Sequence, residues 1–291
     1  MTEDRAALRP GSFAFVMATG IVSVAAAQNG RGALSWTLFA LAASAYGALL
    51  ALALVRGSDL RRIEAWTVVA AAAVLGARLG LAADWAAAAA LWLLAAASWI
   101  VLLPGAVPDL ARRTARRRGS AFLAVVALES LAIAAAMLET RFPSWSLEPL
   151  AETLWAGGLV AYVLLLPGVG RRLLLGSRLL PDDWIAMGAL AIAGLAAAEL
   201  GRSTSALVLW ALASGWLPLL AWLELRRGAR RYEPRRWSTV FPVGMYAAAT
   251  HATGVLEASS ALRVLAQAAF WLALAAWALA ALGLVQSVRR A

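Results

Sequence analysis

Residues Trp237 to Leu256 read WSTVFPVGMYAAATHATGVL. The stretch is long and apolar enough to cross a bilayer. It also holds an internal proline (Pro242), two glycines (Gly244, Gly254), three threonines and the single histidine of the chain, His251. A helix facing lipid gains nothing from these residues. Proline removes a backbone hydrogen bond and kinks the helix, and the freed carbonyls must face protein or water. An ionisable side chain at membrane depth is costly unless it points into a bundle or a cavity. The segment is therefore one wall of a polar path, and the remaining segments complete that path.

Outward from this stretch the composition says the same. Of 291 residues 63% are hydrophobic and 14% charged, with a mean hydropathy of +0.76. Apolar runs of about 20 residues, each able to span about 30 Å of hydrocarbon, recur to the C-terminus. The reading is an all-α polytopic membrane protein, a single transmembrane domain over residues 1–291. Ten spans are expected at about 13–28, 33–55, 63–82, 84–103, 119–138, 151–169, 183–200, 206–224, 237–256 and 262–286. There is no cysteine, which excludes disulfides and thiolate metal sites, and one histidine cannot make a histidine-rich metal site. No metal and no cofactor are expected. The net charge of +10 comes from 26 arginines and no lysine. These sit in short connections between apolar spans, so nucleic acid is not the partner. The N-terminus, MTEDRAALRPGS, lacks the pattern of a removable signal peptide.

Arginine placement gives orientation. Across the ten spans the connections and tails on alternate sides hold 21 and 4 arginines, with Arg78 left inside a span. By the positive-inside rule both termini are cytoplasmic, in a cell inner (plasma) membrane. The odd spans then all run outward and begin near 13, 63, 119, 183 and 237, a spacing that suggests five helical hairpins. Tryptophans near three cytoplasmic entries (Trp66, Trp184, Trp237) read as an interfacial belt. Polar and small residues gather on odd spans: Thr19, Gly20 and Ser23, then Gly76, Arg78 and Gly80, then Glu129 and Ser130, then Gly188, Gly194 and Glu199. Even spans are mostly Ala, Leu, Val and Trp, apart from Ser44, Tyr46, Gly47, Ser214, Gly215 and Pro218. An inner ring of five odd helices inside five lipid-facing even helices follows, with glycines allowing close approach.

Three stretches, RPGSFAFVMATGIVSVAA (9–26), LPDDWIAMGALAI (180–192) and WSTVFPVGMYAAAT (237–250), resemble the tellurite-resistance/dicarboxylate transporter family, which includes bacterial tellurite-resistance proteins, fungal malate and sulfite transporters and plant slow anion channels. The resemblance implies ten helices in five hairpins around a quasi-fivefold pore, assembled as a homotrimer with one pore per subunit. It also implies a pore plug at the phenylalanine before the proline of span 9, here Phe241. The implied partners are small inorganic or organic anions and the lipid bilayer. Arg78 in span 3 departs from the family pattern.

Each candidate has a plainer alternative. Phe241 is by periodicity a core aromatic; beside the kink at Pro242 it is also placed to block a narrow apolar pore. Arg78 either snorkels to the outer interface or draws anions to the outer mouth. Glu129, near mid-membrane, differs from Arg78 in depth by about 7 Å, so an Arg78–Glu129 pair is expected. Alone in a pore Glu129 would repel anions and suit a proton relay. His251 reads first as a hydrogen-bonded structural histidine. Thr19, Gly20, Ser23, Gly188, Pro242, Gly244 and Thr250 complete the pore-lining or selectivity candidates. The function expected is anion transport through a gated, channel-like pore. The alternative is proton-coupled export or carriage of a C4-dicarboxylate, sulfite or tellurite. A membrane-embedded enzyme is the remote third reading. The chain is not expected to be an enzyme, and a Walker A phosphate loop is impossible without lysine.

Overall fold

In the computed structural model, residues 10–56, 62–112, 118–175, 179–227 and 233–289 are described. Arg5, Arg9, Arg61, Arg113, Arg116, Arg117, Arg178, Arg230, Arg231 and Arg290, used in the orientation count, lie outside them. The described residues form ten α-helices and no strand: α1 Ala14–Gln28, α2 Gly32–Arg56, α3 Thr67–Gly80, α4 Trp85–Ala111, α5 Leu123–Arg141, α6 Glu148–Leu174, α7 Ile185–Glu199, α8 Ser203–Arg227, α9 Trp237–Leu256 and α10 Ser260–Arg289.

Eight of the described helical segments, rather than ten, are long and apolar enough to cross a membrane. The two others are α7 and α9. The first carries Asp182 and Asp183 in its entry turn, and the second is diluted by the proline, threonines and glycines quoted above. Both run through protein, not lipid, so they do not need a continuous apolar surface. Burial sorts odd from even helices. In the α5 segment 89% of the span is buried, against 17% for those of α2 and α4. Each odd helix packs on its hairpin partner and on the next odd helix, in the order α1, α3, α5, α7, α9, and α9 packs back on α1.

Small residues permit that spacing. A Cβ at Gly20 would stand 2.9 Å from Val74 Cγ1, one at Gly80 3.0 Å from Met137 Cε, one at Gly188 3.0 Å from Pro242 Cβ, and one at Gly244 2.8 Å from Ile21 Cγ2. Three of the five seams between odd helices thus have a glycine where a side chain would press on a branched or ring neighbour, and at the fourth Gly80 faces the movable end of Met137.

Every odd helix begins with a tight 3-10 turn: Pro10–Phe13, Ile63–Trp66, Gly119–Phe122, Pro181–Trp184 and Pro234–Arg236. Consecutive turns touch one another. Trp66, Trp184 and Trp237 belong to this layer and are only 4%, 7% and 4% exposed. They are therefore not a lipid-facing belt. Their rings are turned into protein: Trp184 Nε1 donates to Glu224 Oε2 on its hairpin partner α8 at 3.2 Å, and Trp237 meets Phe15 of α1 edge-on at 4.8 Å. Carboxylates pin the same layer. Asp183 takes the guanidinium of Arg172 and the Leu180 N–H, and Asp109 of α4 accepts from the Ile63 N–H at 3.1 Å.

Candidate functional site

Helix α9 is in contact with four other helices, and its side chains say which face meets which. Pro242 lies against Gly188 of α7, and Gly244 against Ile21 of α1. Tyr246 shares a hydrogen bond with Ser214 of α8 at 2.8 Å, Thr250 accepts from Trp210 Nε1 of α8 at 3.1 Å, and Gly254 abuts Leu262 and Arg263 of α10. At about 100° per residue, with Pro242 at zero, Tyr246, Thr250 and Gly254 fall at about 40°, 80° and 120°, and Gly244 at about 200°. One arc is left without any of these partners. On it lie Phe241, Met245, Ala248, Ala249 and Ala252, at about 240° to 340°. The first four are fully buried or nearly so, and Phe241 has no exposed surface. This arc faces away from the contacts with α8 and α10.

The polar candidates are placed differently from that arc. Thr19 accepts from Trp277 Nε1 of α10 at 3.0 Å. Ser23 and Ser35 of α2 donate to each other's carbonyls at 2.7 and 2.8 Å. Gly20, Gly188, Pro242 and Gly244 form the helix contacts given above. Thr250 bonds Trp210 and its own helix carbonyl at Tyr246, 2.6 Å away. His251, half-buried, falls at about 180° on the α9 wheel, beside the α1 face. Most of the polarity that marks the odd helices in sequence is thus engaged at helix seams.

The expected Arg78–Glu129 pair does not form. Arg78 turns toward α2, where its Nε donates to Ser35 Oγ at 2.5 Å and its guanidinium covers the Trp36 ring at 4.2 Å. Glu129 turns the other way, to α6, with its carboxylate against Gly158. Matching depth was the basis for pairing them, and depth says nothing about which way around the helix a side chain points.

A repeated contact went unread in the sequence. Trp92 of α4 donates to the Leu131 carbonyl of α5 at 3.3 Å, and Trp155 of α6 to the Ala193 carbonyl of α7 at 3.1 Å. With Trp210 on Thr250 and Trp277 on Thr19, four even helices each hold the odd helix of the next hairpin through an indole N–H. The fifth such seam, α2 to α3, is the one that Arg78 closes on Ser35 and Trp36. The available signal was position: Trp92, Trp155 and Trp210 are each the eighth residue of their helix, counted from Trp85, Glu148 and Ser203.

The seams are tied by polar contacts and the remaining arc of α9 carries one large ring followed by small or flexible apolar side chains. Such a wall gives a permeant ion no fixed charge to stick to. Among the described residues no group of three or more His, Cys, Asp or Glu is arranged to hold a metal ion.

Comparison with known proteins fits this geometry. A family model described as voltage-dependent anion channel matches residues 7–285. Two proteins named as uncharacterized membrane proteins, from two strains of Mycobacterium tuberculosis, are each 35% identical to this chain over 118 residues. The match covers 34% of this chain and 60% of each relative.

Proposed function

Because this chain belongs to the voltage-dependent anion channel family, we propose that it moves small anions across a membrane through the middle of its five odd helices, with Phe241 closing the path at rest. The observation that carries the reading is the position of Phe241. The ring is wholly buried, it lies on the arc of α9 opposite the hydrogen bonds of Tyr246 and Thr250 to α8 and the close approach of Gly254 to α10, and it precedes Pro242. A proline in mid-helix leaves the turn before it short of a hydrogen bond, so the ring rides on a backbone that bends at modest cost. A quasi-fivefold pore is supported by the order in which the odd helices pack and by the glycines between them. Conduction needs weak binding, and an aromatic plug in an apolar constriction also excludes water.

The even helices present apolar side chains such as Leu93, Val163 and Leu164 outward, which suits lipid and the faces of a trimer with one pathway per subunit. The arginine count supports a cell membrane with both termini on its cytoplasmic side. Anion flux from proteoliposomes tests the function directly, with chloride, nitrate, sulfite, malate and tellurite compared. No flux of any of these above that of empty vesicles would overturn it.

A further inference from the structure

Glu129 sits about halfway along the α5 segment Gly119–Arg141, has no exposed surface, and neither carboxyl oxygen has a hydrogen-bond partner among the described residues. Its carboxyl group occupies the space that a side chain at residue 158 of α6 would take. A Cβ built on Gly158 would overlap Glu129 Oε1 and stand 2.8 Å from its Cδ. The site is therefore a fitted one, an acid on one helix against a bare backbone on its hairpin partner.

The neighbouring helices supply no cation at that depth. On α3 the ionisable group is Arg78, in the last turn and engaged with Ser35. On α4 there is none between Asp84 and Asp109, on α6 only Tyr162 between Glu152 and Arg171, and on α7 none between Asp183 and Glu199. The short turns that touch α5 add Glu64 at one end of the helix, and α5 itself adds Glu139 and Arg141 at the other. An ionised carboxylate buried without a partner is unfavourable by several kcal/mol even after relaxation. The neutral acid is the form these surroundings accommodate.

We propose that Glu129 is a proton-binding site, and that gain and loss of its proton switches α5 between packed and unpacked contact with Gly158 on α6. With the proton on, the acid is neutral and fits the Gly158 recess. With the proton off, the carboxylate must leave the recess for water or a cation, and α5 must rotate or slide to let it. Helix α5 also packs on α3 and α7, both neighbours in the ring. The proton thus acts on the same helices that bound the anion path. This coupling rests on the anion-transport reading above, whereas the proton site itself does not.

Infrared difference spectra of the protein in lipid, taken between acid and alkaline pH, test the site. The carbonyl band of a protonated buried carboxylic acid is expected in the wild type and is lost in Glu129→Gln. Gly158→Ala, which leaves the acid in place but fills its recess, is expected to shift or remove the same band. Absence of the band in the wild type, or its survival in Glu129→Gln, overturns the site, and an unshifted band in Gly158→Ala overturns its location. For the coupling, anion flux is measured across the same pH range. Loss of its pH dependence in Glu129→Gln supports the switch, and an unchanged profile overturns it. Absence of flux in both proteins, with the band present, overturns the anion reading while the proton site stands.

Discussion

The indole N–H of Trp210 on α8 donates to Thr250 Oγ1 on α9 at 3.1 Å, and the same hydroxyl donates to the Tyr246 carbonyl at 2.6 Å. The threonine that reads in sequence as a pore wall is thereby a latch between two helices. Removing the latch has a predictable size. Interhelical hydrogen bonds in membranes contribute about 0.6 kcal/mol on average and up to about 1.7 kcal/mol. Trp210→Phe and Thr250→Val should each lower the melting temperature slightly, and the double variant should lose less than the sum of the two. Additive losses would mean that the contact contributes nothing.

Phe241→Ala is expected to raise anion flux while leaving the melting temperature almost unchanged. A phenylalanine that serves only as core gives the opposite pattern, since its truncation costs about 3–5 kcal/mol and opens no path. Flux and melting measured on one preparation separate the two.

Arg78 and Glu129 point to different neighbours, so they should not be coupled. Arg78→Ala and Glu129→Gln are expected to add within about 0.5 kcal/mol in a double-variant cycle, as independent sites do. Ser35→Ala, by contrast, should couple to Arg78→Ala, because the hydroxyl accepts from the guanidinium at 2.5 Å.

Gly244→Val places branched carbon where Ile21 Cγ2 stands 2.8 Å from the Cβ position. Overpacking of this kind costs about 1–3 kcal/mol. Gly11→Val, with nothing within 4 Å of its Cβ position, serves as the control and should melt with the wild type. Equal melting of the two variants would remove close approach as the reason for Gly244.

The chain has no cysteine, so an introduced one is a clean topological label. Glu233→Cys lies in the arginine-rich connection before α9 and should react with a membrane-impermeant reagent only after the cells are opened. Reaction in intact cells would reverse the orientation.

What the sequence made legible is whatever depends on composition along one helix. Apolar length marked the hairpins, and glycine and hydroxyl content marked the odd helices as the ones that meet protein. Azimuth was hidden. Arg78 and Glu129 share a depth but diverge around their helices, and Thr19, Ser23 and Thr250 proved to serve seams. The tryptophans show the same limit twice. Trp66, Trp184 and Trp237 are interfacial by position yet buried where the odd helices begin, and Trp92, Trp155 and Trp210 look like lipid-facing residues until their N–H partners on the next hairpin are known. A side chain's partner on another helix is a property of packing, and a single sequence without those contacts does not encode it legibly.

The contact between α9 and α1 joins the last hairpin to the first, with the Trp277 to Thr19 hydrogen bond spanning 258 positions of the chain. During synthesis every other seam has both its members inserted as soon as the next hairpin emerges. This one waits until α9 and α10 have been made. Until α9 and α10 enter, α1 and α7 stand as two open flanks, with Thr19, Ile21 and Gly188 facing lipid or a chaperone instead of their partners. Chains stalled before residue 237 should therefore crosslink to insertion factors through α1 and α7, and full-length chains should not.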